Sequence, residues 1–249
     1  MNSLPSRLRD KYNIKRKKYI MKRNVLITGA SGNLGKATVE RFIADGYHVI
    51  ATVTPGKKLG FDSPDVQTYE ADLTDEKSVD AILKKIIADH AQLHAALLLV
   101  GGFAPGSIEK TDGALIKKMF SLNFETAYFV ARPVFQQMLS QPEGGRIVLI
   151  GSRPALQPKE GKNTLAYALS KSLIFKLADF LNAEGSSKNV TTSVIVPSTI
   201  DTETNRNAMP DKDFSAWVKP EEIAASMAFL CSEESRALRD SVLKVYNRG

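Results

Sequence analysis

Cysteine is almost missing from this chain: Cys231 is the only one in 249 residues. Neither a disulfide framework nor a cysteine-rich zinc site can be built from it, and a reducing compartment suits such a sequence. Long apolar runs are missing too. None approaches the roughly 18 residues that a membrane span requires, and charges stand near the start where a secretory signal would need its apolar stretch. Histidine is scarce. His48, His90 and His94 form no paired His/carboxylate helix motif of the zinc-protease type, and no serine sits in a Gly-x-Ser-x-Gly elbow. These absences exclude the common hydrolase layouts and lead us to expect a cytoplasmic protein with no metal and no membrane contact.

Positive charge, by contrast, is in excess, at a formal net +7. Residues 1–23 hold nine Lys/Arg against the single acid Asp10, so the excess belongs to the start of the chain and the rest is close to neutral. The bland reading makes residues 1–21 a basic, solvated extension and takes Met21 as the start of the folded chain. A nucleic-acid arm or an Arg-rich targeting peptide is the alternative. No nucleic-acid partner is expected of the remainder. With 43% hydrophobic and 24% charged residues, residues 22–249 can bury a core as one domain.

From Met21 onward, short β-rich apolar runs alternate with longer amphipathic stretches, which is the pattern of βαβ units. Strands are predicted near Asn24–Thr28, Tyr47–Val53, Val66–Ala71, Ala95–Val100, Arg146–Ile150, Val190–Val196 and Ser241–Tyr246. Helices are predicted near Leu34–Ala44, Glu76–His90, Gly113–Leu139, Thr164–Asn182 and Pro220–Cys231. The result is an α/β fold: a doubly wound, parallel, seven-stranded sheet with helices on both faces. The Gly- and Pro-rich link from Thr54 to Asp65 should carry a short helix or none.

Immediately after the first strand comes Gly29-Ala30-Ser31-Gly32-Asn33-Leu34-Gly35. Each glycine has a use there: Gly29 for the sharp turn, Gly32 for backbone approach to a pyrophosphate, and Gly35 for close packing of helix on sheet. The helix N-terminus then offers free N–H groups to an anion. Such a loop binds dinucleotides when, as here, a strand precedes it and a helix follows. The second strand ends in Ala51-Thr52-Val53-Thr54-Pro55, with no acid to bond a ribose 2′-hydroxyl. Lys57 and Lys58 follow, so NADP(H) is favoured over NAD(H), with Thr52 as a contact.

Tyr167-Ala168-Leu169-Ser170-Lys171 places a phenol and an ammonium at i and i+4, on one helix face. A free phenol has a pKa of about 10, so a neighbouring cation is needed for it to exchange protons readily near neutral pH. Alone, the pair is equally an ordinary surface contact. Context strengthens it. The strand Arg146–Ile150 runs out into Gly151-Ser152, setting Ser152 at the sheet edge where open α/β folds bind ligands. Asn123, within a long apolar helix, must be hydrogen-bonded, as a structural amide or as part of a proton relay.

These motifs, with Ala71-Asp72-Leu73, Gly101-Gly102 and Pro197-Ser198-Thr199-Ile200-Asp201-Thr202, resemble the short-chain dehydrogenase/reductase family over nearly all of residues 23–249. The resemblance implies a Rossmann-type domain that moves a hydride between nicotinamide and a small carbonyl or alcohol. By it, Asp72 and Leu73 contact adenine, Gly101 and Gly102 line the cofactor, the Ile200 backbone and Thr202 hold the carboxamide, and Pro197 also meets the cofactor. Ser152 and Tyr167 bind and protonate the substrate oxygen. Lys171 and Asn123 support the relay, with Tyr167 and Lys171 also touching cofactor. Relatives pair as homodimers or homotetramers through the helices containing Asn123 and Tyr167. The chain departs from the common pattern at Asn33 and at Gly101-Gly102, where many members have glycine and Asn-Ala-Gly.

Leu99–Phe103, Val196–Arg206 and Met209–Trp217 are locally similar to quinoid dihydropteridine reductases, but Ser152 and the missing acid after the second strand are not. A segment from Thr202 to Val218 falls where a substrate lid would lie, and Phe103, Met209, Phe214 and Trp217 are either an apolar substrate wall or core. The non-enzyme alternative is a redox sensor that holds NAD(P) without turnover. Such a sensor needs no Tyr167, Lys171, Ser152 and Asn123.

Overall fold

A computed structural model of the chain describes residues 22–248; the basic extension expected over residues 1–21 lies outside the described residues. Seven strands form one sheet: β1 (Asn24–Thr28), β2 (His48–Val53), β3 (Val66–Glu70), β4 (Ala95–Leu98), β5 (Gly145–Ile150), β6 (Val190–Pro197) and β7 (Val242–Val245). Their order is β3-β2-β1-β4-β5-β6-β7, and every pairing is parallel. A sheet buried on both faces needs apolar runs rather than alternation. In β1, Val25, Leu26 and Ile27 are all fully buried, yet they serve different cores. Leu26 joins one cluster while Val25 and Ile27 join the other, as the two-residue period of a strand requires.

Helices cover the two faces. On one side α1 (Asn33–Ala44) and α9 (Pro220–Cys231) bury Val39, Phe42, Ile223 and Met227 against the sheet. On the other, α2 (Glu76–His90), α4 (Thr126–Ser140) and α7 (Leu165–Gly185) bury Leu83, Ile86, Val130, Val134 and Ile174. Each such side chain contributes about 1.5–3 kcal/mol. Asp75 caps α2 by accepting from Lys77 N–H, and Asp112 caps α3 (Gly113–Phe120) by accepting from Leu115 N–H.

The helix expected over Gly113–Leu139 is interrupted: a π turn at Ser121–Glu125 separates α3 from α4. Three short helices, α5 (Arg153–Leu156), α6 (Pro158–Gly161) and α8 (Glu203–Ala208), were not expected, being too brief to show a hydrophobic period. Between β2 and β3 there is no helix. Thr54-Pro55-Gly56-Lys57 turns back with Lys57 N–H on Thr54 O at 2.9 Å, and Gly56 takes the positive φ, +76°, that a type II turn demands. Buried Leu59 pegs this loop to the α1 side of the sheet.

Strand order reverses between β1 and β4, so the connections leaving those strands diverge and open a crevice at their carboxyl ends.

Candidate active site

β1 hands over to α1 through the glycine loop. Gly29 sits at φ +65°, where a side chain is strained. Gly32 N–H closes the turn on Gly29 O at 3.0 Å, and Ala30 N–H reaches the Thr52 carbonyl of β2 at 3.1 Å. A Cβ on Gly35 would stand 2.7 Å from Ala30 Cα, so only glycine lets α1 seat this close. Helix α1 starts after Gly32 with no side-chain cap, which leaves its first N–H groups, together with the positive helix end, available to an anion. Gly32 and Asn33 are exposed at the tip, Ser31 is half-buried, and Leu34 packs against the α1 core.

Thr52 is fully buried and its Oγ1 has no hydrogen-bond partner; its carbonyl, holding Ala30, is what shapes the loop. Lys57 and Lys58 are exposed. Glu70 reaches the same loop from β3, but its Oε2 accepts Gly56 N–H at 3.0 Å. After β3, the Asp72 carboxylate accepts from the Thr74 hydroxyl and backbone, which holds it below the usual carboxylate range, while Leu73 turns into the core.

Four polar side chains foreseen as catalytic come from three elements at the carboxyl edge. Lys171 of α7 is buried, and its Nζ donates to Ile150 O at 2.8 Å. Burial lowers its ammonium from 10.5 to about 8. Asn123, buried in the π turn, receives Gly102 N–H at 2.9 Å and donates to Gly102 O at 3.0 Å and to Ser170 Oγ at 3.1 Å. The extra residue of the π turn aims this amide at the loop after β4. Gly101 is where the groups meet: a Cβ there would lie 2.7 Å from Asn123 Oδ1 and 3.1 Å from Lys171 Nζ.

Burial raises the Tyr167 phenol, and the Ser152 hydroxyl at the end of β5 offsets part of that shift. Ser152 Oγ itself is buried with no hydrogen bond to the protein. Phe103 stands edge-on to Tyr167, ring centroids 5.1 Å apart, and is 64% exposed. Two contributors were missed. Ser170 takes the Asn123 amide and donates to Tyr167 O at 2.8 Å, and Thr28 Oγ1 accepts Leu99 N–H at 3.0 Å, tying β1 to β4 at the reversal. Only the place of Ser170 beside Lys171 hinted at its use; nothing flagged Thr28.

Beyond β6, buried Pro197 leads into a segment held alongside Val218, whose carbonyl accepts Asp201 N–H at 2.7 Å. Ile200 is half-buried, and its carbonyl accepts from the Asn205 amide; Thr202 Oγ1 caps α8 through Asn205 N–H. The suggested apolar wall divides. Trp217 is buried and Phe214 packs on it at 4.8 Å under Arg206, leaving Phe103 as the aromatic beside Tyr167.

A doubly wound sheet with a glycine loop at its reversal and a Tyr-Lys pair beside a strand-end serine defines a dinucleotide-type oxidoreductase. Residues 23–213 match the model of the short chain dehydrogenase family, and the chain belongs to it. It is similar to an acetoacetyl-CoA reductase of Acinetobacter sp. (strain RA3849), 27% identical over 237 residues, covering 88% of this chain and 94% of that one. It is similar as well to a dihydropteridine reductase of Dictyostelium discoideum, 26% identical over 231 residues, covering 90% and 94%. Among solved structures, ElxO with NADP bound superposes with a TM-score of 0.83 at 25% identity, covering 90% of this chain and 97% of that one. The protein is an oxidoreductase of the short-chain dehydrogenase/reductase type.

Proposed function

We propose that this enzyme interconverts a small carbonyl compound and its alcohol with NADP(H), using Tyr167, Lys171, Ser152 and Asn123. The observation that carries the reading is the Ser152 hydroxyl, buried close enough to the Tyr167 phenol to ease its ionisation but outside full hydrogen-bond geometry with it or any other group. A buried hydroxyl without a partner costs about 1–3 kcal/mol, and a substrate oxygen in the crevice relieves it.

The cradle fits a dinucleotide. The uncapped start of α1, the loop from Gly29 to Gly35 and Gly101 leave backbone where side chains would intrude. Ser31, Gly32, Asn33 and Leu34 would meet the pyrophosphate, with Thr52, Asp72 and Leu73 toward the adenosine end. Gly101, Gly102, Pro197, Ile200 and Thr202 would meet the nicotinamide end. Preference for the 2′-phosphate is supported by the absence of an acid at Val53 and Thr54 and by exposed Lys57 and Lys58. When bound, nicotinamide supplies or accepts the hydride.

The residues do the rest. Ser152 orients the substrate oxygen. Tyr167, its phenol held protonated by burial, gives that oxygen a proton in reduction and takes it back in oxidation. Lys171, one turn along α7, would supply the positive charge that eases proton departure from the phenol. Asn123 fixes the Gly101-Gly102 backbone and Ser170, and through them the geometry of the pair.

Tyr167→Phe should lose about a hundred- to ten-thousand-fold in turnover while keeping NADPH affinity. Nicotinamide absorbance followed over aldehydes, ketones, quinones and quinoid dihydropterin, with NADPH and with NADH, reads substrate and cofactor together. Unchanged turnover in the variant removes Tyr167 from the mechanism, and cofactor binding without turnover on any substrate favours the sensor reading. A second reading, a quinoid dihydropterin as substrate, draws support from Phe103, whose exposed ring beside Tyr167 suits a flat heterocycle.

We further propose a cytoplasmic homodimer or homotetramer. Ile116, Phe120 and Tyr128 on α3 and α4, and Leu169 and Phe180 on α7, are exposed apolar residues on neighbouring helices, and Phe120, Phe124 and Tyr128 form an aromatic ladder.

A further inference from the structure

The amino edge of the sheet, opposite the candidate active site, carries a second concave surface. Arg23 leads into β1, Arg146 lies in β5, and Arg236 and Arg239 sit between α9 and β7; with Glu143 and Glu233 they line a cavity of about 680 Å³. Four guanidiniums therefore face two carboxylates. One carboxylate is engaged, Glu233 pairing with Arg23 at 2.7 Å. Among the described residues, Arg146, Arg236 and Arg239 make no ion pair.

What those arginines do touch is backbone. Arg146 Nη1 donates to the carbonyls of Gly145 and Asn189, at 3.2 and 3.1 Å, and Arg239 Nη1 to those of Arg236 and Leu238, at 2.6 and 2.8 Å. Half-burial, with Arg239 and Arg23 close by, pushes the Arg146 guanidinium below its ordinary value, the direction expected of an under-compensated cation. His94, also lining the cavity, is held below the usual imidazole range by burial and adds no counter-charge. By composition, residues 1–21 hold seven Lys/Arg against the single acid Asp10. The lining thus carries two more guanidiniums than carboxylates.

We propose that this edge is a binding site for a small molecule bearing a diphosphate group. Guanidinium forks take phosphate oxygens two at a time, and several converging on one cavity select for more than one negative charge. The volume is that of a pocket for a nucleotide-sized ligand rather than for a lone phosphate. The site is separate from the glycine loop, which lies at the other end of the strands, and it stands independently of the reaction proposed above.

Calorimetric titration of the full-length chain with inorganic pyrophosphate, and separately with ADP, tests the assignment. Arg236 and Arg239 are exposed, so R236Q/R239Q leaves the core intact, which a melting curve checks. This variant should weaken pyrophosphate binding about tenfold or more while NADPH affinity, read by nicotinamide fluorescence, holds. Arg146→Lys, which keeps charge but loses the fork, should weaken it as well. ADP binding tighter than pyrophosphate and lost in the same variant identifies a nucleotide ligand; equal binding identifies the bare diphosphate. Pyrophosphate binding that is the same in R236Q/R239Q as in the parent, whether absent from both or carried by the glycine loop or the basic extension, overturns the proposal. So does an oligonucleotide that binds the parent more tightly than ADP does and loses that binding in R236Q/R239Q, since that makes this edge a polyanion face.

Discussion

Lys171 is an ammonium shut away from water with one backbone carbonyl as its hydrogen-bond partner. Its folded-state pKa, about 8 against 10.5 when free, means that the charged form is disfavoured by folding. Below pH 8 both states carry the proton and the cost is fully present. As pH rises from 8 toward 10.5 the folded state sheds the proton first, and stability from this group increases by roughly 3 kcal/mol. Lys171→Met should therefore melt at a higher temperature than the parent at pH 7, with the gap closing toward pH 10.5, and should lose turnover. Equal melting at pH 7 would show that the charge costs nothing where it sits. At this scale Tyr167, Lys171 and Ser152 could be singled out as candidates because their signals are local: a helical spacing and a strand end. Ser170 and Thr28 were not, since a serine or threonine acquires a role only from the partner that tertiary structure brings to it. The same holds for Trp217, equally a wall or a core residue until its burial is known.

The elements that place these residues divide between long ones, which announce themselves, and short ones, which do not. Helices α2 and α9 begin and end where hydrophobic period, an Asp cap or a leading proline predicts. The π turn at Ser121–Glu125 is invisible to a 3.6-residue period, because one added residue changes the phase of the pattern without breaking its apolar character. That turn nevertheless carries Asn123 into its bonds with Gly102. The glycine loop was legible because backbone clearance restricts residue type. Gly35→Ala puts a methyl against Ala30 backbone, which cannot step aside without moving α1. A loss of about 1–3 kcal/mol of stability and at least tenfold weaker NADPH binding are expected from denaturant unfolding and fluorescence titration. Normal affinity in this variant would detach the loop from the cofactor.

For the whole molecule, strand count and the two-faced sheet could be read from the alternation of β-rich and amphipathic segments, whereas strand order came from connectivity rules that one sequence merely permits. No helix among the described residues is long and apolar enough to cross a membrane, and the pairing proposed above rests on the exposed apolar residues of α3, α4 and α7. Phe180, 72% exposed, makes the sharpest test: Phe180→Asp should convert the assembly seen by light scattering to a single chain, and a parent that is already monomeric would dismiss the pairing. Removing residues 1–20 should leave melting temperature and turnover unchanged, because the first strand begins only at Asn24; loss of either would give the basic extension a structural part. A last consequence follows from the costly buried polar groups that gather at the crevice, the Lys171 ammonium with a single carbonyl partner and the Ser152 hydroxyl with none. The empty protein is the weakened one, and ligand at a hundredfold over its dissociation constant adds about 2.7 kcal/mol. In a living cell proteases cut opened chains, so the lifetime of this enzyme should lengthen and shorten with the supply of its dinucleotide, making abundance a record of redox nutrition.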